Sequence, residues 1–145
     1  PEPNLFGRDA KERANVDMWI RRIEFRLMTP VGQIWVHTHP FTAAVATATM
    51  GKQFTDYGEA NRKIVDSACH LFDKELGNRQ FFAADRYTVA DIVAQSTFDF
   101  ARFIGVDIPE NATHLRAWYD RVSARPSATF DVPEALLAAA RSARG

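Results

Sequence analysis

The sequence predicts an all-α fold, a bundled or orthogonal packing of five to seven helices. Three observations carry this prediction. Apolar residues recur at helical intervals in four separate stretches, capping and helix-breaking residues stand at the ends of those stretches, and no segment alternates as a half-buried strand does. The 145 residues make one domain, residues 1–145, long enough to bury about 70% of the surface its unfolded chain would expose.

The first helix is expected over Asp9–Thr29. Val16, Ile20, Ile23 and Leu27 form its apolar stripe, Asp9 serves as its cap, and Glu12 lies in its first turn, where the dipole favours negative charge. Pro30 lacks an amide donor and crowds the preceding turn, so it should stop or kink this helix, with "VGQIWVHTH" continuing it as far as Pro40. Residues 40–58 read as a loop with a short helical piece, punctuated by Gly51 and Gly58. The second clear helix is "EANRKIVDSACHLFDKEL". Ile64, Ala68, Leu71 and Phe72 are its apolar face, Tyr57 and Leu76 extend that face, and Gly77 is expected to end it in the left-handed conformation. The third helix, Thr88–Phe103, is expected to carry Val89, Ile92, Val93, Ser96, Phe100 and Phe103 on one side, with Ser96 allowing a neighbour to approach. The fourth, "HLRAWYDRVSAR", packs through Leu115, Trp118, Tyr119 and Val122 and stops at Pro126. "PEALLAAARSARG" is helix-prone but thin in apolar residues.

Composition narrows the function classes. Eighteen basic and eighteen acidic side chains cancel, so no net field draws the chain to nucleic acid or to an anionic membrane. There is no apolar run of membrane-spanning length, and the first residues lack the apolar core of a signal peptide. Cys69 is the only cysteine, which excludes an internal disulfide and fits a reducing compartment, the cytoplasm by default. The chain opens on Pro1, and "PEPN" reads like a linker, so a fragment lacking its N-terminal part is expected; removal of a tag would leave the same start.

"RYTVADI" concentrates helix-start chemistry. Thr88 caps the helix, and the Asp91 carboxylate reaches back to the Thr88 amide as in a capping box; Tyr87 and Ile92 flank it as a hydrophobic staple. Such a lock matters most where the helix start is buried and no water satisfies its amides. Asp91 is therefore the one acidic residue expected to be largely buried.

"FFAADRYTVADI" followed by "PENATHLRAWYDRVSARPSA" closely resembles the C-terminal helical domain of cytosolic glutathione transferases. Phe82, Asp85, Tyr87, Thr88, Ala90, Asp91 and Ile92 match one family motif; Leu115, Trp118, Arg121, Val122, Arg125 and Pro126 match the next. "NLFGRDAKERANVDMWI" resembles the start of that domain's first helix, and "MWIRRIEFRLMTPVGQIWVHTHP" resembles a bacterial branch. Ala84 departs from the pattern, which has glycine there, so this turn must avoid a positive φ.

The resemblance implies a two-domain subunit. A thioredoxin-like N-terminal domain, absent here, would bind most of the glutathione and carry the thiol-activating tyrosine, serine or cysteine. The helical domain would wall the pocket for a small-molecule electrophile and contribute to a homodimer. No catalytic residue is expected in this chain, and the fragment alone should be inactive. Met18, Arg22, Phe25 and Thr29 point away from the Val16–Leu27 stripe and are the residues expected to bind the electrophile; dimer contact or plain surface is the competing reading. Arg22 and Arg26 would attract an anion such as a glutathione carboxylate; the competing reading is a surface ion pair, Arg21 with Glu24 or Arg22 with Glu24 through a neighbour. Trp19 and Trp118 read as core anchors and Cys69 as a small buried hydrophobe. His37 and His39 point about 200° apart on a helix and lack companion ligands, so no metal site is expected. The functional alternative is a non-catalytic interaction module of the same fold, as in translation complexes.

Overall fold

The computed structural model describes residues 4–128, so the helix-prone stretch near the C-terminus lies outside the described residues. Among them the elements are α1 (Ala10–Ile23), a π-helical turn (Glu24–Met28), α2 (Thr29–Thr38), a 3-10 turn (Pro40–Thr42), α3 (Ala43–Met50), α4 (Thr55–Leu76), α5 (Val89–Phe103), α6 (Thr113–Ser123) and a 3-10 turn (Pro126–Ala128). Because α1, the π-turn and α2 run on without a break, the described residues form five helical rods and no strand.

The first rod starts on Asp9, whose carboxylate accepts from the Glu12 amide at 2.8 Å. Just before it, Gly7 adopts φ 113° with Arg13 backbone 2.6 Å from where a Cβ would sit, so only glycine fits. Pro30 does not stop the rod. In a regular helix its ring would meet the carbonyl four residues back; the π-turn inserts one residue there, and the Thr29 amide bonds to the Glu24 carbonyl instead. Val16, Ile23 and Leu27 stay buried across the irregularity.

Three expectations about helix faces and ends are corrected. In α4, Tyr57 and Ile64 are 53% and 50% exposed, and the buried face is Gly58, Asn61, Val65, Ala68, Cys69, Phe72 and Leu76. This face meets α2 closely: a Cβ on Gly58 would lie 2.5 Å from Thr38 Cγ2, so the crossing selects for small residues over bulky ones. Gly77 ends α4 at φ −51°, right-handed, because its amide bonds to the Lys74 carbonyl in a tightened last turn. In α5 the buried face is Ala90, Asp91, Ala94, Gln95, Thr97, Phe98 and Ala101, whereas Ser96, Phe100 and Phe103 are exposed. Alanines on that face let α5 sit tightly against its neighbours, and the bulkier Phe100 and Phe103 are turned outward beside Trp35, with ring centroids 5.4 and 6.2 Å away.

α6 buries Leu115, Trp118, Tyr119 and Val122 as its spacing predicts. Its cap comes from another helix: Asp73 of α4 accepts from the His114 and Leu115 amides at 2.7 and 2.9 Å. Trp19, Phe72, Phe82 and Trp118 make the centre of the core, with Phe82 within 4.8–5.4 Å of the other three rings. Each ring buried so fully contributes about 1.5–3 kcal/mol.

The start of α5 is locked from inside. Thr88 and Asp91 are both fully buried. Asp91 Oδ2 accepts from the Thr88 amide at 2.9 Å and from the Thr88 hydroxyl at 3.1 Å; Oδ1 accepts from the Phe82 amide at 3.1 Å and from Trp118 Nε1 at 3.0 Å. One carboxylate thus joins the loop before α5, the α5 N-terminus and α6. Burial raises its pKa, and the four donors oppose that rise. Ala84 is accommodated without strain, since no non-glycine residue among those described has a positive φ.

Candidate functional site

The N-terminal segment enters the fold where α1 and α5 both begin. The Val89 amide donates to the Leu5 carbonyl at 3.1 Å, and Asn15 donates to the Ala83 carbonyl. Arg86 holds Glu12 through both carboxylate oxygens and reaches the Asn4 carbonyl at 3.1 Å, while the Arg8 amide donates to Glu12 at 2.6 Å. The Arg86 hydrogen bond, aided by Arg8, pulls the Glu12 carboxyl down to about 2. This clasp fixes the direction in which α1 leaves the entry point.

From there the outward side of the first rod carries Met18, Arg22, Phe25 and Thr29, spaced four, three and four residues apart. All four are exposed, Met18 at 39% and Phe25 at 73%. Met28, beside them in the π-turn, is exposed too. An open depression of about 600 Å³ lies at the N-terminal end of this face, lined by Asp9, Lys11, Glu12, Ala14, Asn15 and Met18. Of the four residues singled out from sequence, only Met18 lines it; Arg22, Phe25 and Thr29 continue along the same side toward α2. Lys11, Ala14 and Asn15 were not anticipated. The helical period that selects Met18, carried back by four and seven residues, reaches Ala14 and Lys11.

Charge is distributed unevenly along this face. Arg21 bonds Glu24 at 2.6 Å and lies 3.5 Å from Asp17, so its charge is offset by two carboxylates and that flank carries a net negative charge. Arg22 lies with its guanidinium 5.0 Å from the centre of the Trp19 ring. Among the described residues, neither Arg22 nor Arg26 has a carboxylate partner.

Other groups that bear chemistry are occupied elsewhere. Cys69 is buried, and loss of solvation pushes its thiol up to about 12, so it is no nucleophile near neutrality. His37 Nδ1 accepts from the Phe54 amide at 3.3 Å, and His39 Nδ1 accepts from the Phe41 amide at 3.2 Å; both imidazoles tie down the segment around α3. No group of three or more His, Cys, Asp or Glu side chains among the described residues is arranged to hold a metal ion. Tyr87 packs under Arg125, whose guanidinium is 3.9 Å from the ring centre, and its hydroxyl donates to Gln95 at 3.3 Å. Ile92 is half-buried on the next turn. No helix of the described residues is long and apolar enough to cross a membrane.

A helical domain with a buried carboxylate hub at the start of its central helix, and an exposed apolar and cationic face on its first rod, is the class of protein defined here. The chain belongs to the glutathione S-transferase C-terminal domain family, whose pattern matches residues 38–126. It is 31% identical over 125 residues to Glutathione S-transferase 2 of Saccharomyces cerevisiae, covering 86% of this chain and 52% of that protein. The chain therefore spans about half the length of this curated relative. Among solved structures it is similar to a glutathione S-transferase domain-containing protein of Marinobacter aquaeolei, with 38% identity, a TM-score of 0.78, and coverage of 89% of this chain and 62% of that one. Gtt2 of Saccharomyces cerevisiae aligns at 30% identity and a TM-score of 0.77, covering 87% and 59% respectively.

Proposed function

We propose that this domain is the electrophile-side wall of a glutathione transferase. In that reading a thioredoxin-like domain joined before α1 binds most of the glutathione and supplies the thiol-activating group, and the whole works as a cytoplasmic homodimer. Glutathione, when bound, supplies the attacking thiolate. This chain's residues position the second substrate: Met18 and Phe25 offer apolar contact, and Thr29 offers a hydroxyl. Arg22 and Arg26 offer charge beside them. In the same reading Cys69, buried with its thiol pushed up to about 12, has no part in activating that thiol, and no other residue of this chain takes that role. The isolated domain is therefore expected to fold without catalysing.

One observation carries this reading: Phe25 stands 73% exposed between Met18 and Thr29 on the rod that starts at the entry point. Covering an apolar side chain of that size is worth about 1.5–3 kcal/mol, so the face favours an apolar occupant. The test uses the full-length gene product. Retention on immobilised glutathione is expected, together with thiol transfer to an aryl chloride whose KM rises several-fold in the Met18→Ala/Phe25→Ala double variant. Transfer with an unchanged KM would remove these residues from the pocket.

A second reading, a non-catalytic interaction module, is favoured by the aromatic surface formed by Trp35, Phe41, Phe100 and Phe103, in which Phe41 and Phe103 are largely exposed. A full-length protein that ignores glutathione yet forms a stoichiometric complex, broken by Phe41→Ser with Phe103→Ser, would favour it.

A further inference from the structure

We propose that Arg22 and Arg26 make this face of the first rod selective for electrophiles that carry a negative charge next to an aromatic or alkyl body. The inference rests on the electrophile-wall reading and adds a substrate class to it. Its basis is the contrast between neighbouring arginines. Arg21 is consumed by Glu24 at 2.6 Å and by Asp17 at 3.5 Å, so it presents little net charge outward. Arg22 and Arg26 follow it, are exposed, and have no carboxylate among the described residues. One helical turn apart, they lie on one side of the rod, on the opposite flank from Asp17 and Glu24.

Arg22 is also partly oriented. Its guanidinium lies 5.0 Å from the Trp19 ring centre, and Trp19 is fixed in the core by Phe72 and Phe82. A planar guanidinium over a ring keeps its edge available for a carboxylate or sulfonate, which it meets with two parallel hydrogen bonds. Phe25 and Met18, a turn to either side of Arg22, provide the apolar surface for the ligand's body. An anion with a flat apolar body satisfies both features; a neutral body uses only one, and a cationic one is repelled.

The experiment compares a chloronitrobenzoate with its methyl ester as second substrates of the full-length gene product. In both, the glutathione thiolate forms the C–S bond at the ring carbon and chloride leaves with its electron pair, the thiol proton passing to solvent. Each kcat/KM is divided by the uncatalysed rate, so that the ratio of anion to ester reports recognition. Replacing both arginines (Arg22→Gln/Arg26→Gln) is expected to lower that ratio about two- to fivefold, the scale of one exposed ion pair. Arg22→Lys should recover part of it, Arg21→Gln, which uncovers Asp17 and Glu24, should lower it less than the double variant does, and added salt should reduce the wild-type ratio. An unchanged ratio in the double variant, or a rise in the KM for glutathione alone, would overturn the proposal while leaving the transferase reading in place. If neither compound is turned over, the transferase reading fails, and calorimetric binding of nitrobenzoate against methyl nitrobenzoate decides this one. A preference for the anion that vanishes in the double variant supports it, and the lack of such a preference overturns it.

Discussion

The start of α5 and the outward face of α1 treat charge in opposite ways. Asp91 is fully buried, and its two oxygens meet four donors from the backbone, a hydroxyl and an indole. Arg22 and Arg26 are exposed and, among the described residues, meet no carboxylate; Asp17 and Glu24 of the same rod pair with Arg21 instead. A charge inside a core must be saturated by its neighbours, because an unmet buried donor or acceptor costs more than a bond gains. A charge left unmatched at the surface costs little in stability and remains free to meet a ligand. Asp91 therefore belongs to folding, and the arginine flank to recognition.

The largest test of this contrast removes the hub. Asp91→Ala strands the Phe82 and Thr88 amides and the Trp118 indole N–H at once, and we expect it to destabilise the chain by about 3–5 kcal/mol in denaturant unfolding. Trp118→Phe keeps an aromatic ring but removes the pyrrole ring with its N–H donor, and should cost at least about 1–2 kcal/mol by the same measurement, from the lost hydrogen bond and the space left behind. An Asp91→Ala protein with an unshifted midpoint would dissolve the distinction between the two regions.

A subtler test uses pH, since the two carboxylates are shifted in opposite directions. Glu12 is held at about 2 in the folded chain against an ordinary 4.5, so its contribution is present above about 4.5 and lost as pH falls toward 2. Asp91 is raised above its ordinary 3.8, so its ionisation works the other way: the folded form binds more protons, and stability from this source falls as pH rises through the raised value. Glu12→Gln should therefore flatten the increase in unfolding midpoint between pH about 2 and 4.5, leaving the opposing slope of Asp91. A Glu12→Gln protein with the wild-type slope would remove Glu12 as its source. The smallest expected effect is on the other region. Phe25→Ala should change stability by no more than about 0.5 kcal/mol, because a side chain this exposed takes little part in the core. A large loss there would mean the face belongs to the fold.

Much of this was legible before any coordinates. The α1 stripe, the α6 quartet and the two tryptophan anchors follow from helical spacing, and the Thr88–Asp91 lock follows from a four-residue motif whose chemistry is local. The α4 and α5 faces were not legible in the same way. Both helices carry apolar residues around much of their circumference, so periodicity alone could not say which side turns inward. Small residues decided it: Gly58 and Ala68 in α4, and Ala90, Ala94 and Ala101 in α5 permit close approach, and Tyr57, Ile64 and Phe103 were turned out. In the candidate site, sequence spacing grouped Met18, Arg22, Phe25 and Thr29. It did not distinguish Arg21, which is neutralised, from Arg22, which is not, because ion pairing depends on side-chain paths rather than on position.

The amino-acid sequence by itself determined the helical class, the family and the chemistry at the starts of α1 and α5, because each is written in residues within a turn or two of one another. Tertiary structure decided the rest. It chose which helix faces are buried, lent Asp73 to cap α6, carried the first rod through Pro30 by a π-turn and brought Trp118 to Asp91. Those outcomes depend on contacts between residues far apart in the chain, where packing volume and hydrogen-bond geometry outweigh local preference.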